Sequence, residues 1–332
     1  MRFVWILVLL FIPFSLAMKS LDERINSLQD IIGTDAGGRG MKEMIVPGDL
    51  LRASHILGEL APSTVIVLSG FPCCVDQDPP TETDGPPGAL ALARAALALG
   101  HKVILVTEEC NRAVFSAAAE GLALPPDVDR ENLRLEFFPS ELSESDRKRF
   151  EDIASSSTLL LACERAGPAK DGVCHTMRGI DMNAKGLIAP LHDLVGLVNG
   201  PFLAIGDGGN ELGMGKVWGK VANNPMIANG EEIACTVAAD HLVAASVSNW
   251  GGYALAAGAA LVRADKSGDS TRQSWVERCV PTDQDEVELL NRCVAAGCRD
   301  GVSGLVEATV DGMPLETSMD CLRAIRRASL SD

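Results

Sequence analysis

Thr64-Val-Ile-Val-Leu68, Ala89-Leu-Ala-Leu-Ala-Arg-Ala-Ala-Leu-Ala-Leu99 and His101-Lys-Val-Ile-Leu-Val106, with the loop 69–88 after the first run, decide the fold. The two short apolar runs are bounded by turn residues and read as buried strands. The Ala/Leu run between them, closed by Gly100, reads as a helix. A strand, a helix and a second strand in this order form one unit of a parallel sheet. The rhythm continues through strands at 133–138, 158–162, 202–205 and 239–245. Helices are expected around 110–120, 142–155 and 190–199. Others are expected at 21–32 and 47–60, after Tyr253 to about Val262, and at 282–297 and 314–327. The reading is an α/β fold: a doubly wound, mostly parallel sheet with helices on both faces, Rossmann-like.

The composition supports one globular domain. The chain has 332 residues, 47% hydrophobic, with 32 glycines and a formal charge of −16. That charge, with no basic face, excludes a nucleic-acid role. Ten cysteines occur without a C-x-x-C pair, so zinc-knuckle spacing is absent. Cys73-Cys74 is the one adjacent pair and a conceivable nucleophile, although no histidine is set beside it in the sequence. Most of the thiols, such as Cys163, Cys235 and Cys321, fit the core as small apolar groups. Residues 1–17 stand apart from the domain at 18–332. Arg2, an apolar run over 3–12 and Ser15-Leu-Ala17 resemble a secretory signal, too short for a stable membrane span. Met18 could instead be the working start, with 1–17 an upstream extension.

Four strand ends carry unusual loops: 69–88, 164–183, 206–216 and 246–253. In a parallel sheet these lie on one edge, where ligands bind. The richest is Gly206-Asp-Gly-Gly-Asn-Glu-Leu-Gly-Met-Gly215, with five glycines in ten residues around Asp207, Asn210 and Glu211. It is not a Walker A loop, since Asn210 stands at the first glycine and Val217 follows Lys216. It is not G-x-G-x-x-G either, because Glu211 stands at the third glycine. No nucleotide cofactor is expected. Interleaved acids suit a cation, an ammonium group or hydroxyls better than a phosphate. The long loop 69–88 carries Glu82 and Asp84 and runs into Gly-Pro-Pro-Gly, a helix start whose free N–H groups could meet an anion.

The acidic inventory is Glu82, Asp84, Glu164, Asp171, Asp207 and Glu211, with Asn210. Arg165, Arg178 and Arg39 supply positive charge. Arginine grips a carboxylate bidentately, and a carboxylate cluster holds an ammonium or a hard cation such as Mg²⁺ or Mn²⁺. A small zwitterionic ligand fits both. His175 lies in a charged loop as a candidate base; His241 begins an apolar run and reads as a core histidine.

The same residues carry a resemblance. Asp35-Ala-Gly-Gly-Arg-Gly40, Ser69-Gly-Phe-Pro72, Thr81-Glu-Thr-Asp-Gly-Pro-Pro-Gly-Ala89, Glu164-Arg165, Asp171-Gly172, Met177-Arg-Gly-Ile-Asp181, the glycine-rich loop 206–215, Ala239-Asp-His241 and Ser248-Asn-Trp-Gly-Gly-Tyr253 resemble the carboxyl-terminal domain of the D-glutamate cyclase family. The resemblance runs from about residue 21 to 326. It implies a hydro-lyase converting D-glutamate to 5-oxo-D-proline and water, here as a stand-alone domain. It implies a mitochondrial or cytoplasmic location, or the secretory pathway if 1–17 is a signal. For that reaction Glu82, Asp84 or Glu211 would be the base. Asp207 and Glu211 would hold a divalent cation, Mn²⁺ or Mg²⁺. Arg178, Asp181, Asn210, Asn249 and the backbone of Gly208 and Gly209 would hold substrate. A homo-oligomer is left open. Two other readings stand beside it: an α/β enzyme for another amino acid or a sugar acid, and a non-catalytic binder of small acidic metabolites.

Overall fold

The computed structural model describes residues 19–268 and 271–331. The segment 1–17 lies outside them. Six strands form one parallel sheet: β1 (Thr64–Gly70), β2 (Lys102–Glu108), β3 (Leu133–Phe138), β4 (Leu159–Arg165), β5 (Phe202–Gly206) and β6 (His241–Ala244). Their order is β3-β2-β1-β4-β5-β6, the doubly wound arrangement expected. The chain steps outward from β1 through β2 to β3, then crosses back to lay β4 on the other side of β1. The crevice at that reversal, above the carboxyl ends of β1 and β4, is where such sheets hold ligands.

Alternation along the strands sorts the two cores. Val65, Val67, Leu105, Leu161 and Ile205 face one side, under the helices Leu21–Ile32, Asp49–Glu59, Pro86–Ala98 and Ser248–Ser267. Ile66, Leu68, Val106, Leu160 and Ala204 face the other, under the helix Glu144–Ser155 and shorter turns of helix. Pro86–Ala98 is buried along its whole length, and Ser248–Ser267 almost so. Both are built mainly of Ala, Gly and Leu, so they pack closely. They touch backbone to backbone: a Cβ on Gly252 would stand 2.6 Å from the Gly88 carbonyl oxygen.

The carboxyl-terminal region holds more than the two helices expected there. A further helix spans Arg272–Cys279, and a hairpin joins β7 (Thr309–Val310) to β8 (Met313–Pro314). Asp311 and Gly312 turn it, with φ of 54° and 73°. That is the positive-φ pair a tight hairpin turn requires. Asp-Gly between Thr309-Val310 and Met313-Pro314 is the readable signal for it.

Candidate active site

The floor of the crevice is built by two helices that cap each other. Asp84 Oδ2 accepts the Ser248 N–H and Oδ1 accepts that of Asn249, 2.8 Å each, at the head of Ser248–Ser267. In return Asn249 Oδ1 accepts the N–H groups of Gly85 and Gly88 at 2.9 and 2.7 Å, at the head of Pro86–Ala98. Each side chain thus satisfies donors that a helix start leaves open. The helix start at 85–88, expected to offer free N–H groups to an anion, is occupied by Asn249 instead.

Glu164 is set by a bulge. Ser69 pairs with Cys163 and Gly70 with Arg165, so Glu164 is the extra residue of β4. Its φ is +46°, a conformation that non-glycine residues adopt at a cost of about 1–3 kcal/mol. The bulge re-aims its side chain. Glu164 accepts a 2.5 Å hydrogen bond from the Ser248 hydroxyl and lines the pocket.

The glycine-rich loop is wrapped around Glu211. The Gly208 and Gly209 N–H groups donate to its two oxygens at 2.6 and 2.7 Å. Gly209 has φ +107°, and any side chain there would also meet Val221. Asn210 donates from Nδ2 to the His175 carbonyl, joining this loop to the 164–183 loop. Asp207 takes Arg39 at 2.7 Å through Oδ1, while the other Arg39 nitrogen reaches Asp311 at 2.8 Å.

These groups surround a cavity of about 270 Å³. Glu82, Glu164, Asp207, Glu211 and Asp311 line it, with Arg39 on the wall and Arg178 also in the lining. Asp84 lies immediately behind. The partly buried Arg39 and the exposed Arg178 do not balance so many carboxylates. Burial, aided by neighbouring acids, pushes Glu82, Glu164 and Asp207 well above the usual carboxylate range. Arg39 pulls Asp207 back without cancelling that. Burial and Asp311 push Asp84 up to about 7 against its two backbone donors. Such a cluster calls for protons or a cation.

A model of the family described as D-glutamate cyclase-like, C-terminal, matches residues 28–326. The chain belongs to that family. It is 34% identical, over 338 aligned residues, to the human protein named D-glutamate cyclase, mitochondrial. The alignment covers 92% of this chain and 52% of the human one, so the chain spans about half the length of that relative.

In this D-glutamate cyclase-like domain the residues fit a metal ion. Asp84, Glu164 and Asp207, all buried, bring carboxylate oxygens within 4.8 Å of one another. Asp207 Oδ2 is buried without a hydrogen-bond partner, an orphan that a cation would satisfy. All-oxygen donors suit a hard divalent ion. The sequence pairs Asp207 with Glu211 for this task; the geometry groups Asp207 with Asp84 and Glu164.

The other sequence candidates fall into distinct places. Asn210 and Arg178 line the cavity; Arg178 is exposed and donates to the Val302 carbonyl. Asp181 does not line it and caps a local turn at Ala184. Asn249 works beneath it. Gly208 and Gly209 direct their N–H groups at Glu211. Arg165 is no ligand: it is fully buried and ion-paired with Glu108 at 2.5 Å. Asp171 binds His175, and neither lines the cavity, although Thr176, Met177 and Arg178 of the same loop do. His241 begins β6, at the opposite edge of the sheet, against Asp49. Sequence reasoning missed Asp311 and the Gly301-Val302 wall. The Asp-Gly hairpin signal could have located the first, but nothing in the sequence aims it at Arg39.

No helix among the described residues is long and apolar enough to cross a membrane.

Proposed function

We propose that this domain is a lyase of the D-glutamate cyclase type, closing D-glutamate to 5-oxo-D-proline with loss of water. The observation that carries the reading is the small cavity over the β1/β4 reversal, lined by more buried carboxylates than cations, in a chain of this family.

The reaction joins the substrate's α-nitrogen to its γ-carbon and expels one γ-oxygen as water. The amine must lose a proton, the γ-carboxylate must lose its negative character, and the two ends must be held near contact. Glu82 is the base: it lines the cavity, and its carboxylate, unlike those of Asp84 and Glu211, is not committed to backbone N–H groups. Burial raises its proton affinity well above that of an ordinary carboxylate, which strengthens it as a base. Asp84, Glu164 and Asp207 would hold a divalent cation, which when bound supplies Lewis-acid polarisation of the γ-carboxylate. Arg178 takes the α-carboxylate at the cavity wall, with Asn210 beside it. Arg39 keeps Asp207 oriented, and Asp84 with Asn249 fixes the two helices on which the site stands.

The test is direct. The purified chain is incubated with D-glutamate or L-glutamate, with and without Mn²⁺, and 5-oxoproline is followed by chiral chromatography. Product from D-glutamate is the expected result. No product under any condition, with wild-type folding intact, overturns the reading. Stabilisation by D-glutamate without product would then favour a binding role.

A further inference from the structure

One feature of the cavity wall plays no part in cyclisation. Cys73 and Cys74 are adjacent in the chain, and their sulfurs lie 3.9 Å apart. Cys73 lines the cavity beside Glu82, and both cysteines are partly exposed. Seven of the other eight are buried; Cys110 is as exposed as the pair, but its thiol lies against the Leu187 carbonyl. Burial pushes Cys110, Cys174, Cys279 and Cys321 up to about 12 and Cys235 to about 11. Cys74 alone among the described cysteines moves down, to about 7. The Cys73 thiol beside it is the largest cause. Arg299 and Arg178 add to it, while burial and Asp300 oppose. Cys73 moves the other way, well up, and remains a thiol.

We propose that Cys73 and Cys74 form a two-electron thiol pair on the cavity wall, which small-molecule disulfides oxidise to a vicinal disulfide. The accessible Cys74 thiolate attacks one sulfur of a disulfide RSSR. A Cys74–S–S–R bond forms, and RS⁻ leaves to take up a proton from solvent. Cys73 loses its proton to solvent and attacks the Cys74 sulfur; the second RS⁻ departs and is protonated. The sum is two protein thiols and RSSR giving one protein disulfide and two RSH. Cys73 is already in contact with the sulfur it must attack, so the second step needs only local rotation. A bond between neighbouring residues draws Cys73 off Glu82. The Gly301 backbone packs against both Cys73 and Glu82, so this wall shifts with it. A ring closed across one peptide bond departs from ordinary disulfide geometry and is readily reduced. The site is therefore reversible. The effect on turnover rests on the cyclase reading; the sulfur chemistry does not.

The experiment uses the intact wild-type chain and oxidised glutathione. Brief alkylation with iodoacetamide at pH 7 should label Cys74 on the order of tenfold faster than any other cysteine. After oxidation, the peptide containing Cys73 and Cys74 should weigh two hydrogens less, become resistant to alkylation, and recover both thiols with dithiothreitol. Phenylarsine oxide, which bridges paired thiols, should protect both from alkylation in the wild type and in neither single variant, Cys73→Ser or Cys74→Ser. Oxidised protein should lose at least about tenfold in 5-oxoproline formation, and dithiothreitol should restore it. A glutathione adduct persisting on Cys74, a disulfide to any other cysteine, or two free thiols after oxidation would each overturn the pair. A vicinal disulfide without change in turnover would overturn its control of the site and leave the thiol pair standing.

Discussion

Glu164 and Arg165 are neighbours at the end of β4, both buried, and they do opposite things. Arg165 turns to one side and meets Glu108 at 2.5 Å, with the Ala166 and Ala189 carbonyls as further acceptors. That region is charge-balanced and belongs to the scaffold. Glu164 turns through the bulge to the other side and joins the lining carboxylates Glu82, Asp207, Glu211 and Asp311, with Asp84 behind them, around the partly buried Arg39. Burial raises Glu108 and Glu164 alike, but Arg165 opposes it for Glu108, whereas the nearest charged neighbours of Glu164 add to it. Burial of charge is therefore not itself the mark of a site. An uncompensated excess of one sign around a cavity is, since folding alone would not select it.

The comparison breaks most sharply if the excess is removed. Asp207→Asn and Glu164→Gln should each lower 5-oxoproline formation by about 10³-fold or more. Melting temperature should hold or rise, because a like charge has gone. A fall in stability with turnover retained would make the cluster structural. The balanced pair should behave in reverse. Arg165→Ala leaves Glu108 buried and unpaired, and should cost about 3–5 kcal/mol in urea unfolding. The double change Arg165→Met with Glu108→Leu should recover most of that.

A buried acid with a neutral partner sharpens the middle of the scale. Tyr253 donates to Glu286, yet burial still raises Glu286 to about 7 from an ordinary 4.5. The folded chain then holds a proton that the unfolded chain has released between those values. Stability from this group is full below pH 4.5 and declines as pH rises through 7, by about 3 kcal/mol in all. Glu286→Gln should flatten that slope, matching wild type at pH 4 and exceeding it at pH 8, as read from urea midpoints. The smallest effect tests the cation directly. Mn²⁺ at a hundredfold excess over its dissociation constant should stabilise the wild type by roughly 2.7 kcal/mol. Asp207→Asn should abolish the shift, and Arg165→Ala should preserve it.

Much of this was legible before any coordinates. The strands at 64–68, 101–106 and 202–205 announced themselves by apolar runs of the right length, and the loops that follow them converge because the sheet is parallel. Glu82, Glu164, Asp207, Asn210, Glu211 and Arg178 were all named from those loops, and all line one cavity. Their division of labour was not legible. Asp84 and Asn249 look like loop residues with free side chains, but each closes the other's helix. Glu211 looks like a ligand, but the glycines around it turn their N–H groups onto its oxygens. Arg165 looks like a partner for substrate, but Glu108, 57 positions earlier, claims it.

The sequence by itself determined the α/β class, the edge that carries the site and the acidic character of that site. Each follows from local quantities: hydrophobic period, turn chemistry and residue type. Only the tertiary structure decided which carboxylate keeps an orphan oxygen, which arginine is spent on the core, and that Asp311 crosses from a distant hairpin to Arg39. Those outcomes depend on distances between segments far apart in the chain, and a sequence does not contain such distances until the sheet and its helices have packed.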